Sequence, residues 1–134
     1  LSTINEEIER RFQNVTDTAE AERLFGRIFQ ACAGRIEARW YVLLGDDQLA
    51  QRLAAGELPV GFDFGALGGE MDERYFDAQD EGRDEDSAAY FALARLMSAL
   101  SFAAAATDAT DFSEATYESI MALPNPKEDL ATLL

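Results

Sequence analysis

Apolar residues recur along this chain at spacings of three and four, the period of helices that bury one side. Ile4, Ile8 and Phe12 form the first such stripe, and Thr3 with Glu6 has the spacing of a capping box. A helix is therefore predicted to about Gln13. Asp17 and Glu20 repeat the box and open a long predicted helix from Thr18 to Leu44. Ala21, Leu24, Phe25, Ile28, Cys32 and Ile36 make its stripe, which Trp40, Leu43 and Leu44 extend. Gly26 and Gly34 lie inside it, nearly on one face. Each costs about 1 kcal/mol of helix propensity relative to alanine. Such glycines point to close approach of a neighbouring helix backbone, with a kink as the alternative.

Glycine punctuates the middle of the chain. Gly45 is expected to end the long helix as a left-handed cap, and Asp46 or Asp47 to begin a short one carrying Leu49, Leu53 and Ala54. Gly56 ends that helix in turn. Glu57–Gly69 reads as a loop, because Pro59, Gly61, Gly65, Gly68 and Gly69 weigh against a helix. Within it Val60, Phe62 and Phe64 alternate with glycine and aspartate, the pattern of a short extended piece. Glu70–Glu81 is expected to make an exposed helical turn or two, ended by Gly82.

A second long helix is predicted from Asp84–Asp86, whose carboxylates favour the positive end of the helix dipole, through Ala106. Tyr90, Phe91, Leu93, Leu96, Met97, Leu100, Phe102 and the Ala103–Ala106 run cover nearly its full circumference, the mark of a central helix. Its alanines suit close packing against the glycine-marked helix 18–44. Ser113 starts a further helix to Leu123, and Pro124 stops it. Asn125-Pro126 with Glu128 starts a last one holding Leu130, Leu133 and Leu134. There is no internal repeat and no sustained heptad register. The expectation is an all-α fold: residues 1–134 as a single-domain helical bundle of five to seven helices, with two long central ones.

Composition supports a packed core. The 134 residues are 48% hydrophobic with a mean hydropathy of −0.19, enough to fold without disulfides or metals. Charge changes the picture more. The formal net charge is −15 and the pI about 4.1. Residues 1–53 carry nine acids and seven bases, whereas 54–134 carry seventeen and four. Such a chain has no basic footprint for displacing phosphate counterions, and anionic membrane surfaces repel it. Neither nucleic acid nor membrane is an expected partner; a basic protein surface is. The polar stretch Asn5–Arg11 has no signal-peptide character, and Ala88–Ala106 reads as a buried helix rather than a span, so a cytoplasmic location is expected.

Reactive chemistry is sparse. The chain contains no histidine, which removes Ser-His and Cys-His nucleophilic units and imidazole metal ligands. Gly65-Ala66-Leu67-Gly68-Gly69 lacks the strand context of a phosphate loop, Lys127 is the sole lysine, and Cys32 is expected to be an inert buried thiol. The stretch Asp77–Ala88 puts Gly82 at the sixth position of an EF-hand-like loop, with Asp77, Gln79 and Glu81 at one, three and five. Ala88, at the twelfth position, supplies no bidentate carboxylate. No catalytic residue, metal ligand or cofactor is assigned.

The acidic segment is the candidate site. Between Glu70 and Asp86, nine carboxylates face only Arg74 and Arg83. Tyr75 and Phe76 lie among them, as aromatic anchors lie inside charged interface rims. The assigned partner-binding residues are Asp72, Glu73, Tyr75, Phe76, Asp77, Asp80, Glu81, Asp84 and Glu85. A solvated loop that merely caps the second long helix is the competing reading. Tyr75 is expected at the surface, Phe62 and Phe64 in the core, and Trp40 as an interhelical filler. Arg23, Arg27, Arg35 and Arg39, spaced at multiples of four, are expected to pair with the acidic half.

Charge, sparse chemistry and the aromatic-bearing acidic segment together favour a non-enzymatic binding protein, a bacterial immunity- or antitoxin-type inhibitor that occludes a basic toxin or effector domain. Two alternatives remain: a structural or adaptor homodimer burying helix 18–44 against its mate, and a carboxylate-based divalent-metal protein or enzyme.

Overall fold

Short polar side chains set most of the helix starts. Thr3, Asp17, Asp46, Asp63 and Asp108 each accept a hydrogen bond from the backbone N–H three residues on, at 2.7–3.1 Å. The computed structural model describes residues 2–134, and among them all regular structure is helical. The order is α1 (Ile4–Gln13), α2 (Thr18–Arg35), a 3-10 helix (Ala38–Leu44), α3 (Asp47–Ala54), α4 (Phe64–Asp80), α5 (Asp84–Ala105), α6 (Ala109–Met121) and α7 (Pro126–Leu133). The all-α helical bundle is as expected, with one more helix than the range allowed, because the segment 18–44 is two elements.

That segment breaks at Ile36 and Glu37, both extended. The chain turns there so that the fully buried Tyr41 can donate its hydroxyl to the Ala33 carbonyl at 2.5 Å. The bond gives a second donor to a carbonyl at the end of α2 that also accepts from the Ile36 N–H at 3.3 Å. Gly45, with φ 74°, closes the 3-10 helix as the sequence predicts. Neither glycine of α2 meets a helix backbone: a Cβ at Gly26 would lie 3.6 Å from the Leu58 side chain, and Gly34 faces open space.

The largest departure is α4. Its first turns, from Phe64, run through the stretch read as a loop, and Glu70–Glu81 is the second half of a 17-residue helix rather than an isolated turn. The physical reason lies in packing on α5. At Gly68 a Cβ would lie 3.5 Å from Met97 Cβ and 3.8 Å from the Ala94 carbonyl, ordinary contact distances, so α4 lies directly along α5 here. This is the most extensive helix–helix contact in the molecule, and it outweighs the propensity cost of Gly65, Gly68 and Gly69. The close approach predicted for α2 thus belongs to α4.

α5 touches α4, α6, the 3-10 helix and, more lightly, α2, whose main neighbour is α6. By length and composition α5 could cross a membrane, but here Leu93, Leu96, Met97 and Leu100 are buried among its neighbours. Phe102, 46% exposed near its end, shows that the apolar circumference is not covered throughout. α6 begins four residues before the predicted Ser113, at Ala109, and Arg95 ties it to α5 through Glu118 at 2.6 Å. All the helices contribute to one buried cluster, from Ile8 and Phe12 in α1 to Leu130 in α7.

Candidate functional site

Folding 64–80 into one helix sorts the acidic segment by face. Phe64, Gly68, Met71 and Ala78 are buried on the inner side of α4. Asp72, Glu73, Phe76, Asp77 and Asp80 are all exposed and, at spacings of three and four, share the outer side. Phe76 stands 61% exposed in the middle of them. Tyr75 departs from the expected surface position: it is half-buried, its ring 5.4 Å from Phe91 and 5.3 Å from Phe76. Glu81 lies in the turn, and Asp84 and Glu85 open α5.

Ion pairing divides the carboxylates further. Glu70 is held by Arg74 at 2.5 Å, Glu81 and Asp86 by Arg83 at 2.7 Å each, and Glu85 by Arg39. Among the described residues, Asp72, Glu73, Asp77, Asp80 and Asp84 have no ion-pair partner. Glu73 and Asp77, at i and i+4, repel one another, and so do Asp77 and Asp80 at i and i+3. The surface is therefore not neutralised from within.

The EF-hand-like stretch is not a loop. Asp77 and Gln79 lie in α4 and Asp84–Ala88 in α5, so the candidate ligands sit on two helices joined by a short turn. Among the described residues no group of three or more acidic or cysteine side chains is arranged to hold a metal ion. Cys32 is wholly buried, and burial pushes its thiol up to about 12, which keeps it protonated and unreactive.

The arginines of α2 split. Arg35 reaches Asp129 at 3.5 Å and Thr132 at 2.9 Å, and Arg39, just beyond α2, reaches Glu37 and Glu85. Arg23 and Arg27 do not pair with the acidic half as expected. They open with Arg11 onto a groove of about 560 Å³ beside Leu58. The reason is position: α2 lies mainly against α6, away from the acidic α4.

Phe64 is buried as expected, while Phe62 is only half-buried under the Arg52 guanidinium, 5.9 Å from its ring centre. Beside the acidic face lies a cavity of about 480 Å³ that the sequence does not announce, walled by Trp40, Tyr75 and Phe91 from three separate elements. Trp40 is thus a half-buried cavity wall as well as a filler. Only the aromatic identity of these residues is legible in the sequence, not their convergence.

Compared with known proteins, no family model matches the chain, and neither a curated protein nor a solved structure matches it significantly.

Proposed function

We propose that this chain is a non-enzymatic binding protein that covers a basic surface of another protein, in the manner of a bacterial immunity or antitoxin protein acting in the cytoplasm. One observation carries the reading: four carboxylates without ion-pair partners line the outer side of α4 around the exposed Phe76. A desolvated aromatic within a charged rim is a common form of interface hot spot. Negative potential on one face speeds encounter with a cationic partner and orients it. The mutual repulsion along α4 supports the same reading, because it disfavours the isolated protein and is relieved when a cation docks.

The test looks for a toxin-class domain encoded beside this protein's gene and uses that domain, purified, as the capture probe. Reversing Asp72, Glu73, Asp77 and Asp80 to lysine should slow its association by about 10- to 10³-fold and leave the helical circular dichroism unchanged. Undiminished capture by the reversed variant overturns the proposal, as does a gene neighbourhood that encodes no such domain.

A further inference from the structure

The cavity beside the acidic face has the chemistry of a cation pocket. It holds about 480 Å³, with Trp40 from the 3-10 helix, Tyr75 from α4 and Phe91 from α5 as walls, and the carboxylates of Glu37 and Asp84 along its edge. Asp84 has no ion-pair partner among the described residues, and Gln79 adds an amide to the same edge. The one arginine that lines the cavity, Arg35, is turned toward Asp129 and Thr132 of α7. Asp84 is thus left without a cationic partner, whereas Glu37 is already bonded by Arg39 at 2.6 Å.

Guanidinium groups already lie over aromatic rings in this molecule, one of them over the cavity wall Phe91. Arg95 lies 5.3 Å from the Phe91 ring centre, Arg52 5.9 Å from Phe62 and Arg74 6.0 Å from Tyr90. Among the described residues no arginine covers Trp40 or Tyr75, although tryptophan offers the best face for a cation. A planar guanidinium suits this combination better than an ammonium, because it can stack on the rings while donating sideways to carboxylates. Tyr75 is shared: one neighbour of its ring is Phe76 on the acidic face and the other is Phe91 in the cavity wall.

We propose that this cavity receives an arginine side chain of the basic partner, stacked between Trp40 and Tyr75 and bonded to Asp84 and, shared with Arg39, to Glu37. The proposal rests on the reading of the α4 face as a docking surface and adds the anchor residue that surface would recognise.

Trp40 is the sole tryptophan, so its emission reports on the cavity without interference. The probe is N-acetyl-arginine amide, titrated into the intact protein, with the neutral isostere N-acetyl-citrulline amide as control. A saturable change of Trp40 emission with the arginine amide alone is expected, and Asp84→Asn with Glu37→Gln should weaken it about tenfold. A linear, collisional quench, an equal response to citrulline, or an unchanged response in the double variant overturns the proposal. Capture of the protein partner is read separately. A saturable, Asp84-dependent response in a protein whose lysine-reversed α4 still captures its partner sinks the α4 reading and leaves the pocket standing. Loss of capture on α4 reversal with no Trp40 response sinks the pocket alone.

Discussion

α2 and α4 are nearly equal in length, 18 and 17 residues, yet they are built to opposite ends. α2 buries Ala21, Leu24, Phe25, Ile28, Phe29, Cys32 and Ala33, touches four other helices, and has Arg35 tied to α7. α4 buries Phe64, Gly68, Met71 and Ala78 and lies chiefly along one neighbour, α5. Its outward side carries acids that nothing in the described chain neutralises. The contrast separates two roles. α2 supplies cohesion, and its buried face is constrained by the core along its whole length. α4 is held on one side only, by its extensive seam along α5, which leaves its outer side free to be composed for something other than stability.

Truncating a ring in each helix would show the contrast at its largest. Phe29 is wholly buried, 5.8 Å from Phe25, so Phe29→Ala should cost about 3–5 kcal/mol in urea unfolding followed by circular dichroism. Phe76→Ala, at a position 61% exposed, should change stability by no more than about 0.5 kcal/mol while weakening capture of a basic partner. Similar losses from the two substitutions would erase the distinction between a cohesive helix and a presenting one.

The same contrast explains which elements are legible in the sequence. α1, α3 and α7 are, because Thr3, Asp46 and Asn125-Pro126 are local start signals that tertiary structure does not override. The end of α2 is not, because the break is made by a bond between Tyr41 and the Ala33 carbonyl that no local pattern announces. α4 is hidden by its glycines: their propensity argues for a loop, and only the packed fold shows Gly68 facing Met97 and Ala94 and Gly65 facing Ser101 of α5, while Gly69 faces open space. The start of α6 does carry a local signal, although Ser113 drew the predicted boundary away from it. Thr107-Asp108 with Asp111 repeats the pattern of Thr16-Asp17 with Glu20, and both close with the same bonds. The acids of the candidate site are plain from charge alone, whereas their common face requires α4 to exist. The cavity next to them draws its walls from three elements and has no signature in any one of them.

Acid should distinguish the two helices at their starts. α2 opens with a box in which Glu20 accepts from both the N–H and the hydroxyl of Thr16, at 3.3 and 2.7 Å, whereas α4 opens on Asp63 bonded to the Ala66 N–H, with no acid three residues on to complete a box. The Thr16 hydroxyl and then its N–H hold the Glu20 carboxyl below its ordinary 4.5, and the N–H and hydroxyl of Thr107 hold Asp111 below 3.8 in the same way. Both are carboxylates depressed on folding. Their contribution is fully present above the ordinary values and disappears as pH falls through the folded ones. Protection of the Thr16 and Thr107 amides, measured against their intrinsic exchange rates, should therefore fall as pH drops below the ordinary carboxyl values, with the NMR midpoints of Glu20 and Asp111 below 4.5 and 3.8. Midpoints at or above those values would remove the special character of these starts.

The smallest effect bears most directly on why α4 keeps its charges. Glu73 and Asp77 stand one turn apart on the outer side, and Asp77 and Asp80 three residues apart, each pair like-charged and none of the three ion-paired among the described residues. Like charges at these spacings destabilise a helix by about 0.2–0.5 kcal/mol per pair, less at high salt. Neutralising the central member, Asp77→Asn, relieves both pairs and leaves the inner seam of Gly68 and Met71 untouched. It should raise stability by a few tenths of a kcal/mol in low-salt denaturation, about the size of those pair energies. The same change should slow association with a basic partner, so stability and capture move in opposite directions. A residue kept only to keep the helix solvated would not show that opposition, because removing one charge from a protein at −15 leaves ample negative charge for solubility. If Asp77→Asn instead lowers stability, the outer side of α4 contributes to cohesion, and the division of labour between α2 and α4 fails at the position where the two helices differ most.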